Sequence, residues 1–160
     1  MKWLLYVLVV LVAIPVLVAA IGAMLPKAHI ATRKIALNAG PQKVFALISG
    51  PSDWRGFKYE RISESPLQWR ETDKSGDTIT YERVETAEPT RIVNRIADKS
   101  LPFGGTWTYE ISPTPSGCEL TITENGEVCN VIFRFVSRFI MGHTATIDKY
   151  LGEVEKQLRS

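Results

Sequence analysis

Two polar side chains stand where the sequence pattern otherwise places apolar ones. His143 belongs to a stripe formed by Ile132, Val136, Phe139, Ile147, Tyr150, Val154 and Leu158, which share one face at about 100° per residue. Glu124 is in phase with Cys118, Leu120 and Ile122 on one face of a strand. Measured from the junction of that strand with the helix, Glu124 lies about 13 Å back along the strand and His143 about 18 Å along the helix. The two can therefore face each other across an interior. A carboxylate that orients an imidazole equips it for proton transfer, with Tyr81 or Tyr109 as further acid–base groups. The plainer reading is a hydrogen-bonded structural histidine and a glutamate tilted toward solvent beside Gly126.

Other chemistries lack their residues. His29 and His143 are the only two histidines, and His29 follows directly on an apolar segment. No H-x-x-x-H pair or carboxylate cluster accompanies them, so no metal site is expected. Neither G-x-S-x-G, nor a P-loop, nor G-x-G-x-x-G occurs, and no cofactor is implied. Gly104-Gly105 has no helix behind it and reads as a turn or bulge. The two cysteines, Cys118 and Cys129, flank one strand and would be about 30 Å apart, beyond disulfide reach. With no nucleophile–base pair or metal constellation in view, the enzyme question stays open and leans toward no.

The residues around Glu124 and His143 suggest binding. Alternation puts Trp107, Tyr109 and Ile111 on one face of a strand, and Tyr81 on a face with Ile79 and Arg83. If these faces look at the helix, the pocket lining comprises Tyr81, Trp107, Tyr109, Leu120, Ile122, Phe139, His143 and Ile147. Apolar walls with a few polar groups suit a hydrophobic small molecule or lipid. Buried tyrosines and tryptophans also need partners for their polar atoms. The alternative is that all of these side chains simply fill a core.

Composition divides the chain. It has 160 residues and a formal net charge of +2. Lys2 is the only charge in the first 25 residues, and Trp3–Leu25 is apolar apart from Pro15 and Gly22. A run of that length crosses a bilayer core of about 30 Å. A signal peptide would have a shorter apolar region, about 7–15 residues, although Ala20-Ile21-Gly22 resembles a cleavage site. The expectation is a single-pass anchor over residues 1–27 and one domain over 28–160. Lys27, Arg33 and Lys34 lean the domain toward the cytoplasmic side, while Lys2 beside the terminal amine suits the reverse insertion. The near-neutral remainder lacks the basic excess that nucleic-acid binding needs. Phe133, Phe135, Ile140 and Met141, with Arg134 and Arg138 one turn apart, also give the start of the last helix the character of a surface-lying membrane segment.

The elements that would position these residues follow from turn signals and periodicity. A strand over His29–Leu37 ends at Asn38-Ala39-Gly40, and Pro41 opens a helix that Gly50-Pro51 stops. A short helix at Ser52–Phe57 comes next. Six strands follow: Phe57–Ser63, Leu67–Thr72, Thr78–Thr86, Arg91–Ala97, Thr106–Ser112 and Cys118–Val128. One amphipathic helix then runs over Val131–Leu158, weakened at Gly142 and Gly152. An antiparallel sheet covered by a long terminal helix is an α+β arrangement.

This order resembles the START-like helix-grip fold. The sequence is similar to the SRPBCC superfamily, in its polyketide cyclase/dehydrase branch, over about residues 28–158. The likeness rests on Pro41-Gln42-Lys43-Val44-Phe45-Ala46-Leu47-Ile48, on Trp54, and on Gly104-Gly105-Thr106-Trp107-Thr108-Tyr109. Glu124-Asn125-Gly126-Glu127-Val128 and the final Tyr150-Leu151 complete it. The resemblance implies a curved sheet around a C-terminal helix and a hydrophobic ligand held between them. It does not choose among cyclases, ligand carriers and interaction modules.

Overall fold

The structure is a computed structural model that describes residues 2–159. Helix α1 spans Lys2–Met24 and is long and apolar enough to cross a membrane. Strand β1 (Ala28–Leu37) leads to helix α2 (Pro41–Ser49) and a single 3-10 turn at Asp53–Arg55. Six strands follow: β2 (Lys58–Arg61), β3 (Gln68–Thr72), β4 (Thr78–Ala87), β5 (Arg91–Ile96), β6 (Phe103–Thr114) and β7 (Gly117–Val128). Helix α3 (Val131–Val136), a π-helical turn (Ser137–Met141) and helix α4 (Ala145–Arg159) end the chain.

The seven strands form one antiparallel sheet in the order β1-β7-β6-β5-β4-β3-β2. Hairpins connect β2 through β7, and only β1 joins from across the sheet, beside β7. Pro41 fixes the first turn of α2, whose Val44, Phe45 and Ile48 face the sheet. They meet Ile111 of β6, Leu120 of β7, and Leu151 and Val154 of α4 in one core. Ile92, Leu120, Ile122, Ile147, Val44 and Val154 are sealed from solvent. Burial of each such side chain contributes about 1.5–3 kcal/mol before chain entropy is counted. Arg33 on β1 donates to Asp148 (3.0 Å) and to the Thr144 hydroxyl (3.1 Å), which pins the start of α4 to the sheet.

The sequence reading needs correction at two places. The terminal helix is not continuous over Val131–Leu158. It breaks at Gly142, which adopts φ 75° and ψ 148°, a conformation that glycine reaches without a Cβ penalty. The π turn before the break adds a residue to the winding and carries later side chains off the original face. Phe139 accordingly points outward, 59% exposed, instead of joining the inner stripe. Gly104-Gly105 is neither a turn nor a bulge but lies inside β6 in continuous register, where Gly105 (φ 131°) pairs with Gly126 of β7. A Cβ at Gly105 would collide with the Asn125 carbonyl, so the glycine permits the close approach of β6 to β7.

Candidate functional site

A cavity of about 330 Å³ lies between the concave face of the sheet and the α3–α4 junction. Its walls are side chains that alternate inward along β3 to β7. Trp69, Ile79, Tyr81, Ile96, Trp107 and Tyr109 line it from the sheet. Phe103, Val128, Phe133 and Met141 close the end nearest α3. The aromatic rings are mutually supported. Trp69 stacks on Tyr81 with centroids 5.7 Å apart, and Trp107 and Tyr109 each lie 5.7 Å from Tyr150 on α4.

Polar groups enter this cavity in two clusters. In the first, Arg55 from the 3-10 turn contacts Glu71 (3.8 Å) and Glu153 (3.1 Å), and its guanidinium lies 4.6 Å above the Tyr150 ring. Trp69 donates its indole N–H to Glu71 at 3.0 Å. Asn94 accepts from Arg83 at 2.7 Å, and Arg83 also reaches the Ser49 carbonyl at 3.3 Å. Every charge here has a partner, as buried charges require. Burial pushes the Tyr81 and Tyr109 phenols well above their ordinary range. Burial also raises Tyr150, to about 12, against an opposing pull from Arg55. All three phenols are therefore neutral near pH 7 and serve as hydrogen-bonding groups, not as bases.

The second cluster contains His29, Glu124 and His143. The imidazoles of His29 and His143 stack with centroids 4.2 Å apart and planes 21° from parallel. His29 Nε2 lies 3.7 Å from Glu124 Oε1. Gly126 stands opposite His29 in the β1–β7 register, and a Cβ there would strike the imidazole. Burial lowers the affinity of both imidazoles for protons, and for His143 the neighbouring His29 and Arg138 add to the effect. Burial raises the Glu124 carboxyl, opposed by a hydrogen bond from Trp107 and by His143. His143 Nδ1 is buried without a partner. A neutral imidazole with a free nitrogen beside a carboxyl of raised pKa can accept, donate or relay a proton from a bound molecule.

The residues singled out from sequence fall into two groups. Tyr81, Trp107, Tyr109, Glu124 and His143 lie on the cavity wall. Leu120, Ile122 and Ile147 are in the sealed core, where side chains of α2 and α4 close over the sheet. Phe139 is exposed, for the reason given above. Sequence reasoning missed His29, Arg55, Glu71 and Asn94. His29 shares a face of β1 with Ala31, Ile35 and Leu37, so alternation could have found it. Glu71 and Asn94 likewise follow Trp69 and Ile92 by two residues. Arg55 sits in an irregular turn that carries no periodicity. Among the described residues no three histidine, cysteine or carboxylate side chains are arranged to hold a metal ion, and the imidazoles of the second cluster stack face to face instead of converging on one point.

The sequence profile for polyketide cyclase / dehydrase and lipid transport proteins matches residues 28–158. The chain belongs to that family. The matched stretch begins after α1 and its short connector and includes every residue that lines the cavity. No curated protein sequence matches the chain. Among solved structures, a protein of Mesorhizobium loti aligns with TM-score 0.63 and 11% identity, covering 82% of this chain and 97% of its own. Norcoclaurine synthase from Thalictrum flavum, solved with dopamine and hydroxybenzaldehyde, aligns with TM-score 0.62 and 12% identity, covering 82% and 87%. The di-domain ARO/CYC StfQ of the steffimycin biosynthetic pathway aligns with TM-score 0.58 and 14% identity, covering 81% and 50%. At these identities the likeness shows the shared START-like fold and nothing finer.

Proposed function

We propose that this polyketide cyclase/dehydrase and lipid transport family member is a membrane-anchored binder or carrier of a hydrophobic small molecule. The observation that carries the reading is the cavity of about 330 Å³ lined by Trp107 and Tyr109. That volume falls within the range of about 300–1,000 Å³ typical of small-molecule sites. A ligand with an apolar body and one or two hydrogen-bonding groups matches the walls and the two polar clusters. Helix α1 supplies the anchor in this reading. A chain whose interior served only as packing for an interaction surface would have little reason to keep this space.

The His29–Glu124–His143 cluster favours a second reading, a cyclase/dehydrase-type enzyme acting in the same cavity. His143 or Glu124 would exchange a proton with the substrate, and His29 would hold the His143 ring in place. The binding reading ranks first because the cluster contains no nucleophile and no metal ligand set.

The test is extraction of the gently solubilised full chain, followed by mass spectrometry of the small molecules it carries. A recurrent apolar compound, lost from a Trp107→Ala variant that remains folded, supports binding. Repeated recovery of nothing apolar overturns it. Turnover of that compound by the native chain, abolished in His143→Gln, would select the enzymatic reading.

A further inference from the structure

Arg134 is buried, and among the described residues no carboxylate pairs with it. Its guanidinium donates instead to three backbone carbonyls: Gly22 at 3.3 Å, Leu25 at 3.0 Å and Cys129 at 3.0 Å. Gly22 and Leu25 lie at the end of α1, where the helix dipole favours a cation; the Gly22 carbonyl also accepts from the Leu25 N–H at 3.3 Å. The backbone of Gly22 is seated against Val131 so closely that a Cβ would strike the Val131 carbonyl. Helix α3 is thereby fastened to the last turns of α1. Along α1 the residues that lose exposure are Val18, Ala19, Ile21 and Gly22. From Val18 to Met24 a helix rises about 9 Å, which fixes how far back along α1 the contact extends.

The same short segment bounds the cavity. Phe133, Ser137, Met141 and Gly142 line it, while Ile132, Phe139 and Ile140 turn outward and are exposed. No acidic residue occurs between Val131 and Met141, and the exposed Arg138 suits a lipid phosphate.

We propose that α3 and the π turn lie in the headgroup–acyl boundary of the bilayer spanned by α1 and form the portal between that bilayer and the cavity. Arg134 is the clamp that sets the portal at membrane depth. This proposal rests on the membrane-anchored reading of α1. The roughly 9 Å of contact along α1 matches the insertion of about 5–10 Å seen for surface-lying amphipathic helices. Ligand would then pass between lipid and cavity without crossing water.

Depth-dependent quenching tests the proposal. The full chain carries Cys129→Ser and one added cysteine, at Ile140, at Leu11 or at Glu85, labelled with an environment-sensitive nitrobenzoxadiazole dye. Each is reconstituted into phosphatidylcholine vesicles with and without brominated acyl chains. The expected result is roughly twofold or greater quenching at position 140, as for any group at the acyl boundary, and at position 11, with none at position 85. Quenching at 11 without quenching at 140 overturns the portal and leaves the anchor standing. Absence of quenching at 11 overturns the anchor reading itself. A blue-shifted but unquenched dye at 140 means that a second protein copy covers the segment, which also overturns the portal. Adding Arg134→Gln should abolish quenching at 140 and retain it at 11. Unchanged quenching at both removes Arg134 as the clamp.

Discussion

Gly126→Ala and Gly152→Ala are the same chemical change with opposite expected signs. Gly152 lies exposed on α4, and a Cβ there meets nothing within 4 Å. Replacing a helical glycine by alanine at such a site stabilises by about 1 kcal/mol. Gly126 is buried, and a Cβ there would overlap the His29 ring, with Nε2 at 2.5 Å and Glu124 Oε1 at 3.1 Å. The β1–β7 ladder holds His29 opposite Gly126, so the backbone cannot give way and the imidazole must turn aside. A side chain forced off its rotamer costs about 0.5–1.5 kcal/mol, and overpacking typically about 1–3 kcal/mol. The two variants should therefore differ by about 2–3 kcal/mol. At roughly 4 °C per kcal/mol, their thermal midpoints should stand about 10 °C apart. The site gives a second readout. Turning His29 aside removes its charge and part of the shielding from His143, both of which lower the His143 pKa. The His143 ring should thus titrate at higher pH in Gly126→Ala, followed by the Hε1 resonance of the full chain in detergent micelles. Equal midpoints, or a His143 titration that moves down or not at all, would refute the stacked-imidazole geometry.

Four further outcomes follow from the same structure. Arg55→Ala strips the cation from Glu71, whose side chain is only 10% exposed, and should cost about 3 kcal/mol in denaturant unfolding. Leu120→Ala in the sealed core should cost about 3–5 kcal/mol and leave capture of apolar small molecules intact, whereas Trp107→Ala should weaken that capture. Folding holds His29 and His143 below the ordinary imidazole value of 6.5, so the folded state binds fewer protons than the unfolded one. Their contribution is full above that value and declines as pH falls through it, and a His29→Phe, His143→Phe variant should flatten the decline in thermal midpoint. Glu124 has the opposite sign: its raised carboxyl contributes below its ordinary value of 4.5 and loses that contribution as pH rises. Finally, one thiol should react with maleimide in the native chain, since Cys129 is exposed while Cys118 is buried with its pKa raised by burial. Labelling of both at equal rates would contradict the core assignment of Cys118.

Much of the fold was legible because strand alternation and turn residues are local signals. Pro41, Gly50-Pro51 and the polar turns set α2 and the hairpins close to where the structure has them. The same alternation put Tyr81, Trp107, Tyr109 and Glu124 on inward faces. What it could not tell was depth along those faces. Leu120 and Ile122 share their side of β7 with Glu124, but the former join the core with α2 and α4 while the cavity lies over the latter. The break at Gly142 was equally hidden. Helical periodicity reports which residues would share a face if the backbone continued, and the π turn removed that condition for Phe139. Arg55 was missed because a 3-10 turn has no period to read. The clamp at Arg134 involves residues more than a hundred positions apart and carbonyls that every sequence contains.

The central claim is that the space behind Trp107 and Tyr109 holds a hydrophobic molecule. Native mass spectrometry of the full chain released from micelles tests it most directly. The account predicts a single added mass at up to one copy per chain, displaced when Ile96→Trp fills the cavity. A chain that carries no added mass after mild release, or an added mass that Ile96→Trp leaves in place, would contradict it.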